Sequence, residues 1–342
     1  MKRIETTTSP PFVVAVQQFW SRLVFSPWGH ARAQLYQEIA SLLGAGVGPR
    51  EALDRLVAHH GTRVRSLLLP LAGSVQAGEP LSRGMAAHPE RFTALEQALV
   101  MTGERSGRLD QAFVALSNQA EVSFARLRRI VLSTLYPLFL LHFALIVPPI
   151  GFILVSRGMG AYLGFVIPAL VSLWLLFLVG ISLHAGFRER AGYAQFLLSV
   201  PFVGRALQAG AVSQFTGALG TLHAAGMASH EALSLAANAS GNAWMRAELG
   251  ARATVVRDGH TLSEALIGAR SIPSEVVSVI ATGEHSGDLE VALAKTARLY
   301  GERFDVAAKA LPGVLFVLGV VLVGMIVMGM ALNLVSTITS QY

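Results

Sequence analysis

The chain contains no cysteine, so disulfides and thiolate metal sites are excluded. Charge is scarce as well, at 14% of the 342 residues, against roughly a quarter in ordinary globular proteins. Lysine is nearly missing: Lys2, Lys295 and Lys309 are the only ones, and none follows a glycine. A Gly-x-x-x-x-Gly-Lys-Ser/Thr phosphate loop is therefore absent, and ATP hydrolysis cannot rest on that motif. His-Glu-x-x-His is absent too, which removes the commonest zinc hydrolase signature. Gly103-Glu104-Arg105-Ser106-Gly107 lacks the Gly-x-Ser-x-Gly order of a hydrolase elbow. No stretch alternates cleanly with period two, so strands are not expected. No cofactor and no catalytic residue is predicted.

What is plentiful is apolar. Hydrophobic residues make up 53% and mean hydropathy is +0.52, which suits soluble portions joined to a few membrane spans. Three windows carry no charge: 130–156, 158–187 and 310–342. Each holds a run long enough to cross a bilayer, for which about 20 apolar residues suffice. The runs are Val131–Val155, Ala161–Ala185 and Leu311–Leu334, and helix is expected because backbone groups cannot stay unpaired in lipid. Basic residues flank them on one side: Arg126, Arg128 and Arg129 before the first, Arg188 and Arg190 after the second, Arg303 and Lys309 before the third. Basic flanks favour the cytoplasm. The expected layout is a segment 1–30, a cytoplasmic domain 31–130, span 131–155, a periplasmic loop 156–160 and span 161–185. A second cytoplasmic domain 188–310, span 311–334 and a periplasmic tail 335–342 follow.

The N-terminal run Phe12–Val16 is broken by Gln17 and Gln18 and does not read as a secretory signal. Phe12–Phe25 reads equally as an interfacial helix or as a helix packed on the first domain. The net charge of +6 does not point to nucleic acid, because basic and acidic residues are interspersed and balance within 188–310.

The two charged blocks repeat each other. Met101-Thr102-Gly103-Glu104-Arg105-Ser106-Gly107 matches Ala281-Thr282-Gly283-Glu284-His285-Ser286-Gly287, 180 positions later. Leu42, Ala45, Gly46, Glu51, Ala52 and Leu53 match Leu222, Ala225, Gly226, Glu231, Ala232 and Leu233 at the same offset. Between these anchors the register slips by one, pairing Gly78, Leu81 and Ser82 with Gly259, Leu262 and Ser263. One inserted residue, later removed, accounts for it. Each unit reads as a helical bundle, with apolar stripes at three- and four-residue spacing such as Leu109, Ala112, Phe113, Leu116 and Ala120.

The shared motif is expected at a helix–turn–helix corner. Gly103 and Gly283 are expected to end one helix, and Ser106 and Ser286 to cap the next. Glu104 and Glu284 are expected near that next helix's start, accepting from its free N–H groups; a binding role for these carboxylates is the alternative. Gly107 and Gly287 complete the motif. Pro137, Pro148, Pro149 and Pro168 are expected to kink or interrupt the first two spans, and Pro312 stands at the head of the third. Gly313, Gly319, Gly324 and Gly329 permit close approach in that third span. His59-His60 read as ordinary histidines at a helix C-terminus rather than metal ligands, and His142 and His184 as packing residues rather than a proton path.

The repeated Gly-Glu-x-Ser-Gly-x-Leu segment resembles the inner-membrane platform proteins of type II secretion systems and type IV pili. Leu42-Leu43-Gly44-Ala45-Gly46-Val47, its second copy Leu222-His223-Ala224-Ala225-Gly226-Met227, and Tyr136-Pro137 carry the same resemblance. The short stretch before the first repeat resembles the type IVb pilus branch. The resemblance implies an all-α membrane protein with two cytoplasmic domains of about six helices each and three transmembrane helices. It implies a non-enzymatic scaffold in the bacterial inner membrane, working with a hexameric cytoplasmic assembly ATPase, pilin or pseudopilin subunits and other inner-membrane assembly proteins. A homo-oligomer, dimer or higher, embedded in lipid and binding no nucleic acid, is expected. The motif residues are its candidate ATPase contact. The alternative is a small transporter or channel with cytoplasmic regulatory domains.

Overall fold

The computed structural model describes residues 27–187, 189–201 and 203–339, and the expected interfacial segment falls mostly outside them. Among the described residues every regular element is a helix. The first repeat comprises α1 (Pro27–Gly44), α2 (Pro49–His59), α3 (Thr62–Gln76), α4 (Leu81–Ala86) and α5 (Ala94–Ser106), and leads into α6 (Leu109–Pro149). A π-helical segment, Ile150–Leu154, and α7 (Val155–Phe187) follow. After α8 (Ala191–Ser199) the pattern recurs as α9 (Val203–Ala224), α10 (Ser229–Ala239), α11 (Ala243–Arg257), α12 (Leu262–Leu266), α13 (Ser274–Ser286) and α14 (Leu289–Thr339).

The repeat is therefore structural, and its slip has an address. Helix α10 runs in step with α2 at the offset of the duplicated motif, whereas α11 starts and ends one position later than that offset would carry α3. The extra residue lies in Ser240-Gly241-Asn242, where the first repeat has only His60-Gly61 between its helices. It is lost again in α12, which is shorter than α4 by one, so α13 falls back into step with α5.

By contacts the chain divides into two compact units, 27–127 with 189–305, and 128–187 with 306–339. The first unit contains both repeats around a shared apolar core, with Leu53, Leu68, Leu99 and Phe113 from one and Leu233, Leu249, Leu266 and Leu293 from the other. Each fully buried side chain of this size contributes about 1.5–3 kcal/mol. Helix α5 of the first repeat also touches α10 of the second.

The second unit is built from the apolar ends of the long helices. Gly158–Phe187 is, among the described residues, the one helix long and apolar enough to cross a membrane. Its large side chains face outward, Leu175 at 61% and Leu176 at 72% exposure. Leu138–Pro149 is a shorter apolar helix, and the run 311–334 lies within α14. The π segment meets α7 where Ile153, Tyr162 and Val166 bury one another, and the Tyr162 hydroxyl donates to the Ile146 carbonyl of α6 at 3.0 Å. His142 packs against Trp174 with ring centroids 5.9 Å apart, and its Nδ1 is bonded to the Leu138 carbonyl at 2.7 Å.

The prolines mark some of the breaks and not others. Pro148-Pro149 closes α6 and hands over to the π segment, while Pro137, Pro168 and Pro312 lie inside continuous helices. The sharpest irregularity is at Gly158, whose φ of +82° only glycine adopts readily. Gly313, Gly324 and Gly329 lie within α14, and an added Cβ on any of them would meet nothing within 4 Å in this chain.

Candidate functional site

The duplicated motif forms the same corner twice. In the first repeat Thr93 opens α5 with a reciprocal capping box. Its Oγ1 accepts from the Glu96 N–H at 3.3 Å and the Glu96 carboxylate accepts from the Thr93 N–H at 2.7 Å. The helix ends at Ser106 because Gly107 turns left-handed, φ +71°, letting the Arg108 N–H reach back to the Gly103 carbonyl at 2.8 Å. Leu109 then starts α6. Gly287, φ +78°, is left-handed in the same way after α13, with the Asp288 N–H donating to the Ser286 hydroxyl at 3.4 Å.

Gly103 and Gly283 do not end their helices; they let two helices cross. A Cβ on Gly103 would stand 2.6 Å from the Ala112 Cβ, and one on Gly283 2.9 Å from the Ala292 Cβ. Nor do Ser106 and Ser286 cap the following helices. Each is the last residue of its own helix and donates back to the carbonyl of the crossing glycine at 3.4 Å. The left-handed turn needs its glycine just past the serine, which moves both helix ends from where spacing alone puts them.

The glutamates do accept from free N–H groups at a helix start, but at a helix upstream in the chain rather than the next one. Glu104 accepts from the Leu81 N–H at 2.5 Å, the Ser82 N–H at 3.1 Å and the Ser82 hydroxyl. Glu284 accepts from the Leu262 N–H at 2.6 Å and the Ser263 N–H at 2.8 Å. Each carboxylate thus supplies two first-turn donors with partners their own helix cannot provide. Four segments meet at each corner: the capped helix, the carboxylate's helix, the turn and the long helix behind it. Its tip, residues 105–108 or 285–288, is exposed.

Around this frame the repeats differ. In the first, Arg32 on α1 pairs with Glu96 at 3.2 Å, donates to the Tyr36 hydroxyl at 2.9 Å and to the Arg91 carbonyl at 2.5 Å, and lies over the Phe92 ring. The Tyr36 hydroxyl in turn donates to Glu96 at 3.0 Å. Burial, reinforced by the Glu96 charge, pushes the Tyr36 pKa well up. In the second repeat Glu248 accepts from the Arg270 and Ser271 N–H groups at 2.9 and 2.8 Å, and Arg252 donates to the Ala265 and Ile267 carbonyls at 2.7 and 2.8 Å. Burial works against the Glu248 charge, but these N–H donors and the nearby Arg252 outweigh it and hold its pKa below the usual carboxylate value. Tyr300 is pushed up to about 12 by burial and by its bond to Glu275.

Sequence reasoning does not reach these networks, because their members stand far apart in the chain and none is repeated. Ser82 and Ser263 are visible as matched positions across the slip, although their partner is not. Among the described residues no group of three metal-ligating side chains exists. His60 bonds to Glu38 at 2.6 Å instead.

The family described as "Type II secretion system (T2SS), protein F" matches residues 35–156 and, a second time, residues 215–337. The chain belongs to this family. The two matches fall one per structural repeat, and each runs on from a corner into the long helix behind it. A type II secretion system protein F of Pseudomonas aeruginosa is 30% identical over 313 residues, covering 84% of this chain and 77% of that protein. The type IV pilus assembly protein TapC of Aeromonas hydrophila is 28% identical, covering 85% and 78%. The type IV pilus assembly protein PilC of P. aeruginosa is 27% identical, covering 85% and 86%. Relatives from secretion and pilus systems are thus similar to the chain to nearly the same degree.

Proposed function

We propose that the chain is a non-enzymatic inner-membrane platform that couples a hexameric cytoplasmic assembly ATPase to polymerisation of pilin or pseudopilin subunits. The observation that carries this reading is the double family match, each copy ending in a helix that leaves a compact helical frame and continues into an apolar run. Related proteins carry the names of secretion and pilus assembly components. In this reading the chain crosses the membrane three times, at 131–155, 161–185 and 311–334, with domains 31–130 and 188–310 in the cytoplasm and the C-terminus outside. It works as a homo-oligomer among other inner-membrane assembly proteins and binds no nucleic acid.

The corners are assigned to the ATPase-facing side. Because Glu104 and Glu284 spend their oxygens on helix-start N–H groups, they serve the contact by holding the exposed tips 105–108 and 285–288 in shape. Deleting the gene and restoring it on a plasmid tests the platform role, with filaments counted by electron microscopy and exported protein measured in the medium. Loss of either with the deletion, and its return with the wild-type chain, is expected; a deletion that changes neither ends the proposal. Phosphatase and fluorescent reporters fused after residues 127, 157, 305 and 339 test the topology. Only the fusions at 157 and 339 should report the outer side.

A further inference from the structure

The two repeats treat one surface differently. On the outer face of α2 and α3, Glu51 pairs with Arg55 at 2.5 Å and the Gln76 amide donates to Asp54 at 3.0 Å, so the polar groups satisfy one another. The matching positions on α10 and α11 are Glu231, Leu235, Arg257 and Ser234. The arginine that would meet Glu231 has become leucine, and the acid opposite Arg257 has become serine. Among the described residues neither the Glu231 nor the Arg257 side chain has a hydrogen-bond or ion-pair partner. Both line one open cleft of about 380 Å³, together with Met227, His230, Leu235, Ala253 and, from α5 of the first repeat, Met101. Methionine adapts its shape to what it meets, and an apolar surface carrying a few polar groups is what an amphipathic helix docks against.

We propose that this cleft docks a helical polypeptide segment of a partner protein, which seats an apolar side chain against Met101 and Met227, a basic residue against Glu231 and an acidic residue against Arg257. The duplication supplies the argument: one copy of the face pairs its polar groups with one another, while the other lines a cleft with one unpaired charge of each sign. The inference goes beyond the platform reading and needs only that the cleft be open to water.

The test uses the full chain in lipid nanodiscs and labelled synthetic helical peptides, read by fluorescence anisotropy at low salt. Each peptide has two central leucines flanked by Lys and Glu, by two Lys, or by two Glu. The mixed peptide should bind at least about tenfold more tightly than either like-charged one. Glu231→Arg should transfer the preference to the Glu/Glu peptide, and Arg257→Glu to the Lys/Lys peptide, with circular dichroism showing both variants folded. Met101→Lys should weaken all three. Equal binding of the three peptides, binding to empty nanodiscs, no binding of any, a signal that tracks pairing of two chains by mass photometry, or preferences that ignore the substitutions would each overturn the proposal. Filament assembly is not part of this readout, so a chain that supports assembly but fails here loses only the cleft.

Discussion

The two repeats share a skeleton and almost nothing of the polar chemistry packed inside it. Where the first holds Arg32, Tyr36 and Glu96 in one network, the second has Val212, Thr216 and Val276, each essentially fully buried. Where the second anchors its α12–α13 connection with Glu248 and Arg252, the first has Leu67 and Leu71, both buried. Even the tie between the first and last helices of each repeat is reversed. The Ser117 hydroxyl on α6 donates to the Ala33 carbonyl on α1 at 2.8 Å. In the second copy Ser213 on α9 donates to the Ala297 carbonyl on α14 at 2.8 Å. Common to both are the crossing glycine, the left-handed glycine and the carboxylate that caps a distant helix. Those three fix the backbone path, and the interior can be filled by either polar or apolar solutions once the path is set.

The sharpest way to break this comparison is to remove one member of the first repeat's network. Arg32→Ala leaves the buried Tyr36 hydroxyl and the largely buried Glu96 carboxylate without their cation and should cost about 2–4 kcal/mol in denaturant unfolding of the detergent-solubilised chain. Transplanting the second repeat's solution, Arg32→Val with Tyr36→Thr and Glu96→Val, should cost less than the single change. A triple variant less stable than Arg32→Ala would mean that the two interiors are not interchangeable. Next in size, Gly103→Ala should cost about 1–3 kcal/mol by overpacking against Ala112. Gly283→Ala should cost less, because its added carbon stands farther from the facing alanine, at 2.9 Å against 2.6 Å; differential scanning fluorimetry of the pair checks the order.

The capping glutamates should separate by a smaller margin. The N-cap of α4 is Pro80, which offers no side-chain hydrogen bond, so among side chains Glu104 serves its first turn. Helix α12 has Thr261 and Glu264 in a local capping box besides Glu284. Glu104→Ala should therefore cost about 1–2 kcal/mol and Glu284→Ala less, and hydrogen exchange should show α4 opening more than α12. Smallest is a pH effect. The folded-state pKa of Glu248 is depressed, so its contribution is present above the ordinary carboxylate value near about 4.3 and is lost as pH falls through the folded value. Glu248→Gln should flatten the acid limb of stability below about pH 4.5 and leave the neutral region with a modest loss.

Much of the frame was legible because duplication writes each constraint twice. The match of Gly103-Glu104 with Gly283-Glu284 identifies the corner, and the slip between Ser82 and Ser263 calls for an extra residue, which the structure places at Ser240-Gly241-Asn242. Local spacing misleads where geometry is set by tertiary contact. Glu104 sits beside one helix start in sequence yet serves the start of α4, well upstream, and nothing in a linear pattern ranks one set of free N–H groups above the other. Arg32 and Glu96 lie on the first and fifth helices of their repeat, and with Val212 and Val276 in the other copy, comparison of the halves erases the signal instead of raising it. The cleft beside Met101 is legible only as substitutions of Arg55 by Leu235 and Gln76 by Arg257 that look neutral one at a time.

The reversed serine tie has a genetic corollary. A crossover or gene-conversion tract that copied one half's first helix over the other half's first would set the serine of Ser213 against Ser117, crowding two hydroxyls into one gap, or the alanine of Ala33 against Ala297, leaving the gap without a hydroxyl. Homogenisation of the two halves by recombination is therefore penalised at this position, and their divergence, once begun, is self-preserving.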